Sequence, residues 1–523
     1  MKDNHKMRSL VTRSKRGIVK TLFSRLGLIL LLLGIQFALL FSVFRWFATF
    51  IPHYFGSSLV FNAPMAVIII NSRSDASAKV TWLIVIMVLP VFGALLYLYT
   101  QSDAGHRALK RRAATIAQET RFDLRQKPDV AAQLEQAQPG AAALARYIGR
   151  CGCHPLWRNT RVTYFPSGEE KFAALLEALR NAREFIFLEY FIVDEGVMWG
   201  QVLEILKEKA QAGVDVRVMI DGTCEFTTLP HDYPRQMKAL GIQCKLFAPA
   251  RPFVSTHYNY RDHRKIAVID GQISFTGGVN LADEYINEVQ LFGHWKDVAI
   301  RLEGEATRSF TLMFLQMWSM DEKATDITRF LKAPVTRFRD AEGYVLPYSD
   351  CPLDDNKVGE RVYMDLLNRA QRYVHIMTPY LILDGQMETA LKYAAERGVD
   401  VHLILPGIPD KKYAFWLART HYASLIASGV KISEYTPGFV HAKVFVADDQ
   451  EAVVGTINLD YRSLYHHFEC ATYLNGVPCI ARIEEDFQQT LSHCTRITEK
   501  RLQAIPWYQR LAGAALKALS PLM

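Results

Sequence analysis

The chain has 523 residues, half of them hydrophobic, which excludes a single ordinary domain and is enough for large cores. Its formal net charge of +8 favours an anionic partner, either nucleic acid or anionic lipid. Eight cysteines are scattered through the chain, which excludes a small disulfide scaffold and indicates reduced thiols in a cytosolic compartment.

The first hundred residues predict a membrane anchor. Residues 26–44 are apolar and carry no charge, and residues 80–99 form a second apolar stretch that contains Pro90 and Gly93. Each stretch is close to the roughly 20 residues that a helix needs to cross a bilayer. Proline and glycine are tolerated in membrane helices. We therefore predict a two-helix transmembrane hairpin over residues 26–100.

The distribution of basic residues predicts the orientation of this hairpin. The tail, residues 1–25, carries eight Lys or Arg and one acidic residue, whereas the loop over residues 45–79 carries three basic residues. Another basic cluster follows the second apolar stretch at residues 107–112. The positive-inside rule then puts the tail and everything after residue 100 in the cytoplasm.

The region after the anchor repeats internally. Residues 183–196 (REFIFLEYFIVDEG) parallel residues 372–385 (RYVHIMTPYLILDG), and residues 212–222 (AGVDVRVMIDG) match residues 397–407 (RGVDVHLILPG). In each copy an amphipathic stretch with helical spacing lies between two apolar, strand-like segments. This strand–helix–strand order predicts α/β units with largely parallel sheets.

The repeat divides the rest of the chain. Residues 101–150 are polar and alanine-rich, and predict a helical or flexible connector. Proline and charge break the periodicity near residues 331–346, which separates a first α/β half, residues 151–335, from a second, residues 336–523. The end of the second half, residues 505–523, mixes aromatic, aliphatic and basic residues. It is expected either to lie on a membrane surface or to pack on the second half.

One motif occurs in both halves. The pattern His-x-Lys-x4-Asp appears twice, and each copy is followed at the same distance by Gly-x-x-Asn. The matching residues are His263, Lys265, Asp270 and Asn280 in the first copy, and His441, Lys443, Asp448 and Asn458 in the second. Two such matches in one chain are not plausibly chance.

The residue types of this motif suit a phosphodiester. Lys265–Ile269 and Lys443–Val446 are rich in aliphatic residues and predict strands, and residues two apart on a strand point to the same side. Each histidine should therefore project together with its lysine. One imidazole can attack phosphorus and the other can protonate the leaving oxygen. The lysines neutralise the charge and the asparagines donate hydrogen bonds, so no metal is required.

The two aspartates of the motif allow two interpretations. Asp270 and Asp448 each begin a turn, which is a common position for aspartate. They either take part in catalysis or orient the ends of the strands.

Four segments carry a family resemblance. NYRDHRKIAVIDG, TGGVNLADEYI, HWKDVAIRLEG and GTINLDYRSLYHHFE resemble the phospholipase D superfamily, and most closely its bacterial cardiolipin synthase family. The resemblance implies two tandem phospholipase D-like α/β halves, a phosphohistidine intermediate, and neither cofactor nor metal. It also implies that His263 is the nucleophile and His441 the general acid.

The resemblance also points to further site residues. Asp297 and Glu469 each precede an apolar strand, and in the superfamily an acid at this place orients a catalytic histidine. One departure is visible, because the usual Gly-Ser-x-Asn is Gly-Gly-Val-Asn in the first half and Gly-Thr-Ile-Asn in the second. A hydroxyl is therefore present at Thr456 and absent at Gly278, so the two halves need not contact phosphate in the same way.

The family implies transfer of a phosphatidyl group between two phosphatidylglycerol molecules, giving cardiolipin and glycerol. The alternatives are hydrolysis of phospholipid to phosphatidic acid and, less favoured, a membrane-tethered phosphodiesterase or nuclease. The predicted spans favour lipid over nucleic acid, so phosphatidylglycerol and anionic membrane lipid are the expected partners. The expected location is the bacterial inner membrane, as a multi-pass protein whose N-terminus and catalytic part face the cytoplasm.

Overall fold

The computed structural model describes residues 62–72, 74–101, 107–152, 154–248, 260–322 and 327–522. The predicted helix over residues 26–44 lies outside these residues, as does the basic tail. Of the described residues, 62–101 belong to one compact unit and all others belong to a second.

The first unit contains a helical hairpin. Residues 62–70 are helical, and two further helices follow, α1 (Ala76–Val88) and α2 (Pro90–Gln101). The chain reverses between α1 and α2. The reversal brings the rings of Trp82 and Tyr97 together edge to face, with their centroids 5.2 Å apart.

The single helix predicted over residues 80–99 is therefore wrong at its centre. Leu89 has a φ of −133° and a ψ of 71°, outside the helical region. It precedes a proline, and a residue in that place is disfavoured in the α conformation. The two helices have 13 and 12 residues, and among the described residues no helix is long and apolar enough to cross a membrane.

The connector is helical throughout most of its described length. Its helices are α3 (Arg107–Glu119), α4 (Pro128–Ala137) and α5 (Pro139–Gly152). Leu134 and Ile148 are fully buried, in the same hydrophobic cluster as the first strand of the second half. The connector is thus packed against the catalytic region and is part of its core.

Among its described residues, the first half has nine strands, and seven of them form one sheet. Its strands are β1 (Thr160–Phe165), β2 (Phe185–Tyr190), β3 (Asp215–Asp221), β4 (Gln243–Phe247), β5 (Arg261–Asp262), β6 (Lys265–Ile269), β7 (Ile273–Gly277), β8 (His294–Lys296) and β9 (Ala299–Gly304). Its helices are α6 (Gly168–Arg180), α7 (Val197–Gln211), α8 (Cys224–Thr227), α9 (Tyr233–Ala239), α10 (Thr307–Trp318) and α11 (Ile327–Leu331). The strand order in the sheet is β1-β9-β7-β6-β2-β3-β4.

The second half repeats this sheet. Its strands are β10 (Tyr344–Asp350), β11 (Tyr373–Met377), β12 (Asp400–Pro406), β13 (Lys431–Tyr435), β14 (Gly438–Val440), β15 (Val444–Ala447), β16 (Glu451–Gly455), β17 (His467–Asn475) and β18 (Cys494–Arg496). Its helices are α12 (Val358–Arg369), α13 (Gly385–Glu396), α14 (Lys412–Ala427), α15 (Tyr461–Tyr465), α16 (Cys479–Ser492), α17 (Glu499–Gln503) and α18 (Trp507–Leu519). The strand order is β10-β17-β16-β15-β11-β12-β13-β18, which matches the first sheet strand for strand and adds β18 at one edge.

The expectation of largely parallel sheets is wrong. In each half the two βαβ connections give parallel pairs, β2–β3–β4 and β11–β12–β13, while the other pairings of the shared order are antiparallel. One antiparallel pair in each half, β6–β7 and β15–β16, follows from the tight turn that begins at Asp270 or Asp448. A short turn can join only antiparallel neighbours, whereas parallel neighbours need a crossover.

The sheets of the two halves share a core around α10. Ten of its twelve residues are buried, and the other two are the polar Arg308 and Gln316. Phe310 and Met313 of α10 belong to one hydrophobic cluster with Val268 of the first sheet and Val444 of the second. This shared core holds the halves in one body.

At the end of the chain, α18 packs against α14, while Trp507, Tyr508 and Leu511 stay largely exposed. The packing of this segment on the second half is therefore confirmed, whereas its expected contact with a membrane surface stays a prediction.

Candidate active site

Each half lends a strand to the other beside the repeated motif. The two-residue strand β5, just before His263, pairs in parallel with β17 of the second half. The short strand β14, just before His441, pairs in parallel with β8 of the first half. Backbone hydrogen bonds continue both pairings, from His263 N to Phe468 O at 2.9 Å and from His441 N to Lys296 O at 2.7 Å.

This exchange sets each histidine beside an acid of the opposite half. His263 Nδ1 lies 2.8 Å from Glu469 Oε1, and His441 Nδ1 lies 2.6 Å from Asp297 Oδ2. All four side chains are buried. With Nδ1 directed at a carboxylate, Nε2 of each ring is the nitrogen left for chemistry. The acids singled out in the sequence therefore contact the histidines, and each does so across the boundary between the halves.

The lysines of the motif lie on the same side as their histidines. Lys265 Nζ donates to the carbonyl oxygen of His263 at 2.6 Å, and Lys443 Nζ donates to that of His441. Both lysines are buried, and burial lowers the pKa of Lys265 to about 8 and that of Lys443 to about 7. Desolvation disfavours the charged ammonium, and an anion bound beside each lysine would favour that charged form again.

The imidazoles are poor bases in this environment. Burial, aided by Lys443, lowers the pKa of His441 to about 4. Burial and Lys265 hold the pKa of His263 well below its ordinary value. Both rings are therefore neutral near pH 7, and a neutral imidazole has the free lone pair that nucleophilic attack needs.

The two acids differ in their protonation. Burial alone would raise the pKa of Asp297, but the charges of His441 and Lys443 outweigh burial and hold that pKa below its usual value. Burial raises the pKa of Glu469 well above its usual value, against the opposing effect of Lys265. Asp297 is therefore an ionised partner for His441, whereas Glu469 holds a proton more readily beside His263.

The Gly-x-x-Asn positions produce a second difference between the acids. Thr456 Oγ1 donates to Glu469 Oε2, so Glu469 is held by a hydroxyl as well as by the imidazole. At the equivalent Gly278, a Cβ would collide with the carboxylate of Asp297. Asp297 instead accepts a hydrogen bond from the backbone N–H of Val298 at 2.8 Å. The absent hydroxyl noted in the sequence thus makes room for the acid.

The contacts of Asp270 and Asp448 favour the second of their two interpretations, in which they orient the ends of the strands, and a part in catalysis stays a prediction. Both oxygens of Asp270 accept backbone N–H groups, at 2.7–2.9 Å, from residues 183–185. Asp448 accepts the equivalent N–H groups of residues 371–373, at 2.7–2.9 Å. They directly follow β6 and β15, five residues after the lysines, which is about 16 Å at a rise of about 3.3 Å per residue. Both aspartates therefore fix the start of a neighbouring strand.

The two asparagines belong to the walls of the site. Asn280 accepts from Ile192 N at 3.0 Å and donates to the Tyr285 hydroxyl at 2.7 Å. Asn458 donates to Asp460 Oδ2 at 3.1 Å. Their expected contact with phosphate stays a prediction, because each amide already has a protein partner.

Sequence reasoning missed the aromatic surroundings of the histidines. The rings of Tyr285 and Trp295 each lie 5.4 Å from that of His441, measured between centroids. Phe191 meets His263 edge to face at 4.9 Å. These rings exclude water around the imidazoles, and no spacing in the sequence places them there.

A third histidine, His467, was also missed. Its ring centroid lies 5.3 Å from that of His263, and its Nδ1 lies 3.7 Å from Glu469 Oε1. A signal did exist, since His467 is two residues before Glu469 on the strand β17 and must share its face. Among the described residues, His263, His467 and Glu469 form the one group of three whose ligand atoms could hold a metal ion, all within 4.8 Å of one another.

Comparison with protein families matches two regions of the chain. The family described as "Cardiolipin synthase, PLD-like domain" matches residues 175–318 and 363–491, which include both copies of the motif. The family described as "Phospholipase_D-nuclease N-terminal" matches residues 60–100.

Individual relatives cover most of the chain. A protein of Streptococcus mutans, described only as uncharacterized, is 52% identical over 87% of this chain and 98% of its own length. A cardiolipin synthase of Geobacillus kaustophilus is 32% identical over 87% of this chain and 91% of its own length. Among solved structures, the phosphatidylserine synthase of Haemophilus influenzae covers 69% of this chain and 95% of its own, with a TM-score of 0.53 and 15% identity. At that identity the similarity concerns the fold.

Proposed function

The chain belongs to the cardiolipin synthase family of phospholipase D-like proteins, and from this membership we propose that it makes cardiolipin and glycerol from two molecules of phosphatidylglycerol. The observation that carries the proposal is the crossed pairing of His263 with Glu469 and of His441 with Asp297. Two oriented imidazoles with two lysines suit the attack on a phosphodiester and the protonation of its leaving oxygen.

In the first step, Nε2 of neutral His263 attacks the phosphorus of one phosphatidylglycerol. The bond from phosphorus to the glycerol oxygen breaks, and His441, which must first take up a proton at Nε2 as the imidazolium that Asp297 stabilises, gives that proton to the oxygen. Lys265 and Lys443 bind the phosphoryl oxygens, and the negative charge that they receive offsets their mutual repulsion. The products of this step are a phosphatidyl group on His263 and free glycerol.

In the second step, the headgroup hydroxyl of another phosphatidylglycerol attacks the same phosphorus. His441, now neutral, accepts the proton of that hydroxyl, and the bond from phosphorus to His263 Nε2 breaks. Ionised Asp297 stabilises the imidazolium form of His441 that appears in each cycle. The difference between the acids thus favours His441 as the proton carrier and His263 as the nucleophile.

Transfer requires an alcohol to compete with water at the same phosphorus. The apolar rings around both imidazoles favour the alcohol of a lipid, because they limit the access of water. Hydrolysis to phosphatidic acid is the second candidate function, since it uses the same first step.

We further propose that the protein is attached to the bacterial inner membrane through residues 26–44 and the helical hairpin after it. In the hairpin, Val80, Met87, Val88 and Leu95 are more than half exposed, which suits contact with lipid. The charge distribution favours a cytoplasmic tail and catalytic region. A reporter fused after residue 110 should be active in the cytoplasm, and activity confined to the outside would contradict this topology.

The function is tested by incubating the purified full-length protein with phosphatidylglycerol and analysing the lipids by mass spectrometry. Cardiolipin and glycerol in equal amounts are expected. The matched control is His402→Asn, because His402 is a buried histidine bound to Ser433, and it should keep the activity. Phosphatidic acid as the single product would show the hydrolase instead.

A further inference from the structure

His467 is a buried histidine without a settled partner. It is 8% exposed, and its Nδ1 has no hydrogen-bond partner among the described residues. A buried polar atom without a partner costs about 1–3 kcal/mol. Such an atom beside an active site indicates that a bound ligand, which the protein's own contacts do not replace, is its partner. The proposed mechanism does not use His467.

The unpaired nitrogen faces two other ligand atoms. Nδ1 of His467 lies 3.7 Å from Glu469 Oε1, and the same oxygen lies 2.8 Å from Nδ1 of His263. A tetrahedral Zn²⁺ ion holds nitrogen and oxygen ligands at about 2.0–2.2 Å, which puts the ligand atoms roughly 3.4 Å from one another. Movements of less than about 1 Å would therefore bring the three atoms to a zinc ion.

The chemistry of the three groups also suits zinc. Two imidazoles and one carboxylate are the ligand set of many three-ligand zinc sites, which leave a fourth position open. Burial lowers the pKa of both His263 and His467, so their lone pairs are free near pH 7. Two effects oppose binding: the ammonium of Lys265, which is itself weakened by burial, and the raised pKa of Glu469, which must lose its proton to the solution when the ion binds.

We propose that His263, His467 and Glu469 form an inhibitory binding site for a divalent transition-metal ion such as Zn²⁺. The ion occupies the space between the proposed nucleophile and its acid, and takes the place of the hydrogen bond between them. A neutral His263 that binds the ion through Nδ1 keeps its proton on Nε2, so Nε2 then has no lone pair with which to attack phosphorus. The metal binding stands on geometry alone, while its inhibitory effect rests on the proposed function.

The binding is tested on the full-length protein, purified with a chelator that is then removed. Zn²⁺ is titrated calorimetrically, and Co²⁺ is added to a second sample for its visible absorption, which is intense in tetrahedral coordination. The proposal predicts one tight site per chain and a tetrahedral Co²⁺ spectrum. His467→Asn should weaken that site by more than about 100-fold, since loss of an outer-shell partner alone costs 10–100-fold.

The matched control is His402→Asn, which removes another buried histidine and should leave the site intact. A second substitution, His467→Gln, and the thermal melting of each variant show whether a loss of zinc binding comes from misfolding. Unchanged zinc affinity in both folded His467 variants would overturn the proposal, as would the absence of a tight site in the wild type.

Lipid turnover provides the second readout. Zn²⁺ should inhibit the wild type and His402→Asn, whereas the turnover that His467→Asn retains should resist the metal. A tight site that His467→Asn removes, in a protein without lipid activity, would support the metal site and contradict the proposed function. A tight site with uninhibited turnover would overturn the inhibitory part of the proposal.

Discussion

The two halves of the catalytic region have the same strand order, and each histidine takes its acid from the other half, yet the two resulting pairs differ. His441 faces an ionised aspartate packed against a glycine. His263 faces a glutamate with a raised pKa that is also held by Thr456. A duplicated fold can thus supply two identical side chains and tune them for two roles through their acids.

The largest effects should come from removing either histidine. His263→Asn and His441→Asn should each reduce lipid transfer by at least about 10⁴-fold, because nucleophile and proton carrier act as one unit. Initial rates of cardiolipin formation measure this. A histidine variant that keeps more than a tenth of the activity would remove that residue from the mechanism.

Substitution of the two acids should lower kcat to different extents. Asp297→Asn should lower kcat by about 10³–10⁴-fold, since it removes the charge that stabilises the imidazolium of His441. Glu469→Gln should cost less, roughly 10–100-fold, because Glu469 already holds a proton readily and Thr456 can still position the amide. Steady-state kinetics on folded variants compare the two. Equal losses would show that the acids play equivalent roles, and a loss of only a few-fold in Glu469→Gln would remove that residue from the mechanism.

The residues behind the two acids should show the same order of sensitivity, with the Asp297 side the more sensitive. Gly278→Ala should lower kcat more than Thr456→Val, because a new Cβ displaces Asp297, whereas loss of the Thr456 hydroxyl removes one hydrogen bond. We expect at least about 100-fold for the first and about 10-fold for the second. The prediction fails if Thr456→Val is the more damaging change.

The lysines should produce a pH dependence. The pKa of Lys443 is about 7, so its ammonium loses its proton as the pH rises through that value and no longer attracts phosphate. In the free enzyme, kcat/KM should therefore fall by a further factor of about ten per pH unit above this pKa, in addition to the decline that deprotonation of His441 produces. Lys443→Arg, which stays charged, should have lower activity and no such fall near neutral pH. If kcat/KM of this variant falls with pH as it does in the wild type, a group other than Lys443 is responsible for the decrease.

The smallest effects on chemistry should come from the motif aspartates. Asp270→Asn and Asp448→Asn should change kcat by less than about tenfold, while each lowers the free energy of unfolding by about 1–3 kcal/mol through lost backbone hydrogen bonds. Denaturant titration and initial rates separate the two effects. A large loss of kcat at unchanged stability would return the aspartates to the catalytic group.

Much of this arrangement could be predicted from the sequence, because it depends on local pattern. The strand over Lys265–Ile269 begins and ends as predicted, and alternation put each lysine beside its histidine. The fold of two α/β halves followed from the internal repeat. The predictions that were wrong concern the helix break at Leu89 and the antiparallel strand pairs next to Asp270. Both depend on backbone geometry, which the spacing of apolar residues does not reveal.

The crossed pairing could not be predicted for a different reason. Asp297 and Glu469 were singled out by their positions before strands, but nothing in the spacing tells which histidine each acid meets. That choice is made by β5 and β14, two strands of two and three residues that pair with the opposite half. Such short segments carry too little pattern to reveal their partners, and His467 enters the site by the same strand pairing.

The assignment of unequal roles to the two histidines is tested most directly by locating the covalent intermediate. Wild-type and His263→Asn protein are incubated briefly with phosphatidylglycerol, quenched under conditions that preserve phosphohistidine, and digested for mass spectrometry. We predict a phosphatidyl group on the peptide that contains His263, and none in His263→Asn. A phosphatidyl group on His441 in the wild type would contradict the assigned roles.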